Sequence, residues 1–169
     1  MGSVIMLSGP IGAGKTTVAR ELLGIMTGEV AFIEGDDCWR FFAKSTRSRR
    51  ENAFILMRSI TAAALPLARS GYDVVLDFTI PPDFLPTAQK ILKEVPLDFV
   101  VFRPSLKTCA HRAAQRSEGV ISDYQMYRSF YALFEAAGER FTICHDTADA
   151  KTVAALILDG VRQGRFRVA

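Results

Sequence analysis

The residues with the clearest chemical potential form the segment Gly9-Pro10-Ile11-Gly12-Ala13-Gly14-Lys15-Thr16. This segment matches the pattern G-x-x-x-x-G-K-[ST], in which glycines let the backbone turn several N–H groups towards phosphate. The pattern requires a strand before it and a helix after it. The apolar run Val4 to Leu7 and the helix-forming run Thr17 to Leu23 meet that requirement. The sequence therefore predicts a phosphate-binding loop between the first strand and the first helix.

Each position of this loop has an expected role in holding a nucleoside triphosphate. The backbone contacts are expected from Gly9, Gly12, Ala13 and Gly14. Lys15 would bridge the β- and γ-phosphates, the Thr16 hydroxyl would coordinate Mg²⁺, and Thr17 would donate a hydrogen bond to the α-phosphate. ATP and Mg²⁺ are the expected cofactors, and the sequence does not separate ATP from GTP.

A second group of chemically active residues, Glu34, Asp36 and Asp37, follows the next apolar strand. An alcohol attacks phosphorus better when a carboxylate accepts its proton. Ligands of open parallel sheets bind beyond the carboxyl ends of the strands, so these side chains are expected near the phosphate-binding loop. The competing interpretation is that one of them caps the following helix, which carries Trp39.

Asp77 ends a third apolar strand, Val74-Val75-Leu76. A carboxylate at the end of a hydrophobic strand, in a chain with a phosphate-binding loop, is typical of a residue that holds Mg²⁺ directly or through water. Aspartate at a strand end is also a common turn residue. Both interpretations are open at the level of the sequence.

Two arginines, Arg112 and Arg116, stand four residues apart in a predicted helix. Positions i and i+4 share one helix face, where like charges repel by roughly a few tenths of a kcal/mol. An anionic group, either Glu118 or a nucleotide phosphate, would offset this repulsion. The alternative is an ordinary solvated helix face.

The composition favours one globular domain. Of the 169 residues, 49% are hydrophobic and 23% are charged, which is enough for a real core. The net charge of +3 is too small to argue for nucleic acid, although it does not exclude it. No apolar run approaches about 18 residues, so no membrane span is expected. The three cysteines, Cys38, Cys109 and Cys144, are widely spaced, which predicts reduced thiols and a cytoplasmic location.

Strands and helices alternate along the whole sequence. Apolar runs predict strands near 3–8, 30–34, 73–77, 97–103 and 140–144. Helical patterns cover residues near 15–26, 36–44, 49–69, 83–94, 105–117, 122–137 and 149–162. This alternation predicts an α/β fold with three layers, α/β/α, around a five-stranded parallel sheet with right-handed crossovers.

With these motifs the sequence resembles the small P-loop kinases and phosphotransferases. Its layout is close to that of chloramphenicol-phosphotransferase-like proteins. It is also similar to gluconate kinases, zeta-toxin-like kinases and the kinase domain of polynucleotide kinases, a group often labelled AAA-type ATPases. The resemblance covers nearly the whole chain. It implies a single P-loop kinase domain over residues 1–169, a P-loop NTPase sandwich with strand order 2-3-1-4-5, and a short lid near 112–123.

The resemblance also implies roles for the acidic residues. Asp36 would contact and activate the acceptor hydroxyl, with Asp37 as the alternative base. Asp37, Asp77 and Trp39 would contact the acceptor, which is expected to be a small molecule with a hydroxyl group.

On the nucleotide side, the resemblance implies that Arg112 and Arg116 begin the lid and neutralise the charge on the transferring phosphoryl group. The loop after the fifth strand, His145 to Thr147, would lie beside the adenine ring.

Together these features predict ATP- and Mg²⁺-dependent transfer of the γ-phosphoryl group to a hydroxyl of a small molecule. The residues expected to catalyse it are Lys15, Asp36, Arg112 and Arg116. The alternatives are a polynucleotide or nucleotide kinase and a non-catalytic ATP-binding module that regulates a partner. Acceptor pockets are built from variable helices and loops, so the acceptor is not identified. A monomer or a weak dimer is expected.

Overall fold

A parallel sheet forms the middle layer of the fold. The computed structural model describes residues 1–115 and 121–168. Within them, five strands form the sheet: β1 (Val4–Ser8), β2 (Val30–Glu34), β3 (Asp73–Asp77), β4 (Leu97–Phe102) and β5 (Thr142–Ile143). Their order is β2-β3-β1-β4-β5, and every neighbouring pair is parallel. The predicted fold class and strand order are confirmed.

Helices cover both faces of the sheet because side chains of a buried strand alternate between the two faces. The helices are α1 (Lys15–Ile25), α2 (Arg49–Arg69), α3 (Leu85–Leu92), α4 (Leu106–Ala114), α5 (Arg128–Ala132) and α6 (Ala150–Arg162). On one face, Val4 and Met6 of β1 belong to a core with α2 and α3. On the other face, Ile5 and Leu7 belong to a core with α1, α4 and α6. Among the described residues, no helix has the length and apolarity needed to cross a bilayer.

Capping side chains fix where most of the longer helices begin. The Ser48 side chain accepts from the Glu51 N–H, and the Glu51 carboxylate accepts from the Ser48 N–H, a reciprocal pair that starts α2. Ser105 and Asp149 cap α4 and α6, where each side chain accepts one hydrogen bond from a backbone N–H of the first turn. Helix α1 differs, because its N-cap is Gly14, which has no side chain to offer.

Two predicted helices differ from the observed structure. The segment predicted as a helix over 36–44 is a short 3₁₀ stretch, Asp37–Phe41. Its bulky aromatic residues are poor helix formers, and the three-residue repeat brings the rings of Trp39 and Phe42 together at 6.1 Å. The segment predicted over 122–137 is the short helix α5 between 3₁₀ turns. No side chain caps α5, so nothing local extends it.

A segment after α6 completes the edge of β4 that the short strand β5 leaves uncovered. Asp98 and Arg167 form an antiparallel bridge, and the Phe99 N–H donates to the Phe166 carbonyl at 2.9 Å. The Asp98 carboxylate is completely buried and accepts two hydrogen bonds from the Arg167 guanidinium, at 3.3 and 3.0 Å. Burial raises the pKa of Asp98, and Arg167 opposes that rise.

We expect the Arg167→Ala variant to lose stability in a pH-dependent way. When an acid has a raised pKa in the folded state, the folded protein loses stability as pH rises through that pKa. The reason is that the same acid ionises more easily in the unfolded chain. Removing Arg167 raises the pKa of Asp98 further. At pH 7 the cost should be about 2–3 kcal/mol, below the roughly 3–5 kcal/mol of a fully buried pair, since the Arg167 side chain is 42% exposed.

Urea unfolding at several pH values measures this effect against the wild type. The deficit should shrink as pH falls towards 3.8, the ordinary pKa of an aspartate. Arg162→Ala is the control, because it removes only an exposed pair with Asp159 at 3.8 Å and should cost less than about 1 kcal/mol at any pH. A pH-independent deficit in Arg167→Ala would contradict the assignment.

Candidate active site

The phosphate-binding loop connects β1 to α1 and depends on glycine at three positions. Gly9, Gly12 and Gly14 have φ angles of 141°, 79° and 91°, which side chains disfavour. A Cβ atom on Gly9 would lie 2.3 Å from the Phe102 carbonyl oxygen, and one on Gly12 would lie 2.2 Å from that of Cys109. The loop is therefore backed directly by the backbone at the end of β4 and in α4.

The first turn of α1 presents backbone N–H groups that could bind an anion. Its N–H groups have no intrahelical partner, and its N-cap Gly14 makes no side-chain hydrogen bond to them. These N–H groups also carry the partial positive charge of the helix N-terminus. A phosphate oxygen is a natural partner for them. Ala13 is buried inside the loop, and Thr17 is exposed in the first turn.

Lys15 folds back over the loop. Its Nζ atom donates to the carbonyl oxygens of Gly9 and Pro10, at 3.1 and 3.2 Å. Its positive charge also lowers the pKa of Asp77, against the larger opposite effect of burial. The ammonium group thus lies between the loop and the acidic end of β3, where a phosphate bound in the loop would meet it.

The predicted Mg²⁺ ligands, Thr16 and Asp77, are in contact. The Thr16 hydroxyl donates to Asp77 Oδ2 at 2.6 Å. Asp77 is 3% exposed, and this burial raises its pKa. A carboxylate so far removed from water gains from a cation beside it. Among the described residues, no group of three or more His, Cys, Asp and Glu side chains could hold a metal. The hydroxyl and carboxylate oxygens of this pair are of the kind that Mg²⁺ accepts, and that ion usually keeps water and phosphate oxygens as its other ligands.

Four carboxylates lie around the carboxyl ends of β2 and β3. The sheet register places Glu34 opposite Asp77. Burial raises the pKa of Glu34, repulsion from Asp37, Asp77 and Asp36 raises it further, and Arg20 opposes this rise. Glu34 was one of the carboxylates recognised in the sequence but had no assigned role. Its place in the sheet puts it between Asp77 and the acidic turn after β2, which carries Asp36 and Asp37.

Asp36 and Asp37 occupy different surroundings within that turn. Asp36 is exposed, and its side chain makes no capping hydrogen bond, so the capping interpretation does not apply to it. Asp36 contributes to the raised pKa of Asp77. Asp37 lies 3.3 Å from the Arg40 guanidinium and acts chiefly on Glu34. Of the two, Asp36 is the carboxylate electrostatically coupled to the Thr16–Asp77 pair.

The turn that carries Asp36 rests directly on the residue after Asp77. The Gly35 N–H donates to the Asp77 carbonyl oxygen at 2.8 Å. A Cβ atom on Gly35 would lie 2.5 Å from the ring of Phe78. The absence of a side chain at this position lets the two acidic strand ends approach closely.

A cavity of about 440 Å³ opens beside the acidic turn. Its walls are apolar apart from two carboxylates, and its lining residues are Phe32, Ile33, Glu34, Asp37, Cys38, Phe41, Ile60, Ala63 and Leu67. Trp39 is not among them. Its ring packs 6.3 Å from that of Phe78 and lies under the Arg49 guanidinium at 4.4 Å. Phe41, which is 64% exposed, is a wall residue that no local signal in the sequence distinguishes from a core aromatic.

Arg112 ties the phosphate-binding loop to the loop after β5. Its guanidinium donates to the carbonyl oxygen of Ala13 at 3.4 Å and to those of His145 and Asp146, both at 3.3 Å. The predicted partner Arg116, together with the middle of the predicted lid, lies outside the described residues. The structure therefore brings Arg112, but no second arginine, to the phosphate-binding loop within its described part.

His145 is buried between these two loops. It is 6% exposed, its ring lies edge-on to that of Phe102 at 5.4 Å, and Nδ1 has no hydrogen-bond partner among the described residues. Burial lowers the pKa of His145, and the Arg112 charge lowers it further. Both effects favour the neutral imidazole, which forms part of a wall behind Gly14.

Comparison with known proteins gives the family. A protein-family model described as "AAA domain" matches residues 4–126, which include the phosphate-binding loop, the acidic turn, Asp77 and Arg112. The chain belongs to this family. No curated protein sequence matches it. The family match agrees with the AAA label given to the group that the sequence resembles, and the solved structures share the predicted fold.

Three of these structures cover almost the entire chain. A sugar kinase from Janibacter sp. HTCC2649 has a TM-score of 0.69 and 17% identity over 96% of this chain and 95% of its own. The Deinococcus radiodurans tunicamycin resistance protein has a TM-score of 0.72 and 16% identity, over 100% and 99%. The Mycobacterium tuberculosis APS kinase, in complex with AMPPNP and APS, has a TM-score of 0.68 and 19% identity, over 95% and 98%. These similarities establish the fold.

Replacing Gly12 by alanine tests the close backbone contact under the loop. The new Cβ would lie 2.2 Å from a backbone oxygen at a φ of +79°, so we expect a loss of about 1–3 kcal/mol in unfolding free energy. Nucleotide binding should be lost as well. Gly24→Ala in α1 is the matched control, since nothing lies within 4 Å of its Cβ position. It should be neutral or stabilising by up to about 1 kcal/mol. Urea unfolding compares the two, and equal effects would contradict the packing argument.

Proposed function

We propose that this protein is a kinase that transfers the γ-phosphoryl group of ATP to a hydroxyl group of a small molecule, with Mg²⁺. The observation that carries the proposal is the convergence of three features at one end of the sheet. They are the phosphate-binding loop, the contact between Thr16 and Asp77 at 2.6 Å, and the acidic turn with Asp36. A site for a nucleotide alone would not need the third feature.

The phosphate-binding side of the site would hold ATP, the phosphoryl donor. The N–H groups of the loop and of the first turn of α1 would bind the phosphates. Lys15 would leave the carbonyl oxygens of Gly9 and Pro10 for the β- and γ-phosphates, where its charge offsets the charge that develops during transfer. Thr16 and Asp77 would hold Mg²⁺ through their oxygen atoms. Bound there, Mg²⁺ supplies charge neutralisation for the phosphate oxygens.

The acidic turn would hold and activate the acceptor. Asp36 would accept the proton of the acceptor hydroxyl. As it does so, the hydroxyl oxygen forms a bond to the γ-phosphorus, and the bond between that phosphorus and the ADP oxygen breaks. Asp37 and Glu34 line the neighbouring cavity, and Asp77 would contact the acceptor only through the metal site. This cavity is an open groove of about 440 Å³ whose lining includes Asp37 and Glu34 but not Asp36, and it would receive the rest of a small acceptor.

The arginines would act on the nucleotide side. Arg112 joins the phosphate-binding loop to the loop after β5, so it would hold together the two segments between which the nucleotide lies. Arg116 keeps its predicted role in neutralising the transferring group. His145, which is buried behind Gly14, would line the base end of this site.

The names of the structural neighbours agree with this proposal. They include a sugar kinase and an APS kinase crystallised with APS and an ATP analogue. The three cysteines are free thiols in the structure, which fits the proposed cytoplasmic location, where ATP is abundant. A monomer or a weak dimer remains the expected state.

Asp36→Asn is expected to lower the turnover number about 100-fold or more, because the amide side chain of asparagine cannot accept the proton of the acceptor hydroxyl. ATP affinity should stay within about twofold of the wild type, since Asp36 lies on the acceptor side. The measurement is ADP release with Mg²⁺ and ATP across a panel of hydroxyl compounds, including antibiotics, sugar acids, nucleosides and 5′-hydroxyl oligonucleotides. Lys15→Ala runs beside it and should abolish turnover.

Asp37→Asn separates the two candidate bases. It removes a carboxylate of the cavity that is engaged in an exposed pair with Arg40. We expect it to change mainly the acceptor KM and to leave the turnover number within about threefold. A collapse of turnover in Asp37→Asn with full turnover in Asp36→Asn would reverse the assignment. ATP binding without acceptor-stimulated turnover anywhere in the panel would favour the regulatory module.

A further inference from the structure

The carbonyl groups of the phosphate-binding loop help to set its conformation. A backbone carbonyl that leaves water needs a hydrogen-bond donor inside the protein. The carbonyl oxygens of Gly9 and Pro10 accept from Lys15 within the loop itself. Those of Ile11 and Ala13 accept from side chains that come from a distant part of the chain. These two carbonyl groups are therefore held by the rest of the fold.

Tyr124 supplies the donor for Ile11. Its hydroxyl lies 2.6 Å from the Ile11 carbonyl oxygen, and 113 residues separate the two along the chain. The side chain is 8% exposed, and its ring lies 5.6 Å from the ring of Tyr127. Burial raises the pKa of Tyr124, so its hydroxyl keeps its proton and remains a donor at physiological pH.

Arg112 supplies the donor for Ala13, at 3.4 Å. Arg112 and Tyr124 lie on either side of the segment that joins α4 to the 3₁₀ turn Gln125–Tyr127. Both ends of this segment therefore contact the outer side of the phosphate-binding loop. Arg112 already has a place in the proposed nucleotide site, whereas Tyr124 has no role in it.

The hydrogen bond to the Ile11 carbonyl also determines the direction of the next N–H group, that of Gly12. In a trans peptide, the C=O and N–H bonds point in opposite directions, and the described residues contain no cis peptide. Holding the Ile11 carbonyl on one side therefore directs the Gly12 N–H to the other side. Gly12 has a φ of 79°, and glycine has many other conformations of similar energy. A hydrogen bond from outside the loop selects one of them.

We propose that Tyr124 is a positioning residue for phosphate binding, which keeps the Gly12 N–H turned into the loop by holding the Ile11 carbonyl. The proposal rests on the proposed function only in requiring that the ligand of the loop carries phosphate groups. It needs no assumption about the acceptor. Tyr124 acts on the ligand through Ile11 and Gly12, without touching the ligand itself.

Tyr124→Phe removes the hydroxyl and keeps the buried ring. The matched control is Tyr131→Phe, because the Tyr131 hydroxyl donates to another backbone carbonyl, that of Pro104, at 2.8 Å. Tyr131→Phe loses this bond, whereas Tyr124→Phe loses the bond to Ile11 and a further contact with the Cys109 thiol. The thermal unfolding midpoint of Tyr124→Phe should therefore fall at least as far as that of Tyr131→Phe. Of these contacts, only the bond to Ile11 involves the phosphate-binding loop.

Calorimetric titration with two ligands, ADP and inorganic tripolyphosphate, both with Mg²⁺, measures the effect on phosphate binding. In Tyr124→Phe the affinity for both ligands should fall about three- to tenfold, the size expected for one hydrogen bond. In Tyr131→Phe it should stay within about twofold. Tripolyphosphate has no base or sugar, so a parallel loss for both ligands locates the effect at the phosphates.

Three results would overturn the proposal. They are unchanged affinity in Tyr124→Phe, a loss for ADP alone, and an equal loss in both variants. If the wild type bound neither ligand, this proposal and the proposed function would both fail. If the wild type bound both ligands and Tyr124→Phe behaved as expected, but no acceptor supported turnover, the role of Tyr124 would stand and the kinase activity would not.

Amide hydrogen exchange without ligand gives a second test that does not depend on affinity. Peptides that contain Gly12 should exchange faster in Tyr124→Phe than in the wild type, because the loop then samples other conformations. Tyr131→Phe should leave exchange at this loop unchanged. Equal exchange at the loop in all three proteins would contradict a positioning role even if affinities differed.

Discussion

Backbone packs directly against backbone beneath the phosphate-binding loop, and much of the site follows from this constraint. Gly9 and Gly12 come so close to the carbonyl groups of Phe102 and Cys109 that no side chain fits between them. This contact sets the distance between the start of α1 and the end of β4. Because β1 lies between β3 and β4 in the sheet, the loop also meets Asp77 on its other side. A single close approach thus aligns the parts that would hold phosphate and metal.

Charge divides the site into two halves. Carboxylates gather at the ends of β2 and β3, where burial, and to a smaller extent their mutual repulsion, raises the pKa of Glu34 and Asp77. Hydrogen-bond donors gather on the other half, at the N-terminus of α1 and at the side chains of Lys15 and Arg112. In the proposed reaction, phosphate groups would be attracted to one half, and the hydroxyl that must lose a proton would lie in the other. Lys15 and Thr16 stand at the boundary, where transfer between the two would take place.

Sequence patterns anticipated those parts of the structure that depend on neighbouring residues. Buried parallel strands are continuous apolar runs, so the positions of the strands could be predicted from local pattern, whereas the strand order came from the resemblance to small P-loop kinases. The helix predicted over 49–69 matches α2. The helix predicted over 36–44 was wrong because packing of aromatic rings outweighed the local pattern. The contacts of Tyr124 and Asp98 escaped prediction, since their partners lie 113 and 69 residues away and share no spacing with them. The roles of the site residues remain predictions.

The contact between Gly35 and Phe78 has a consequence for how such a site could diverge. The turn with Asp36 is seated on the ring that follows Asp77, so the backbone segments that carry the two carboxylates are in direct contact. Neither could be repositioned for a new acceptor without displacing the other and disturbing metal binding. Adaptation to different acceptors would therefore be confined to the outer walls of the cavity, such as Phe41 and the exposed side of α2. The reactive end would stay constant while the recognised compound changed.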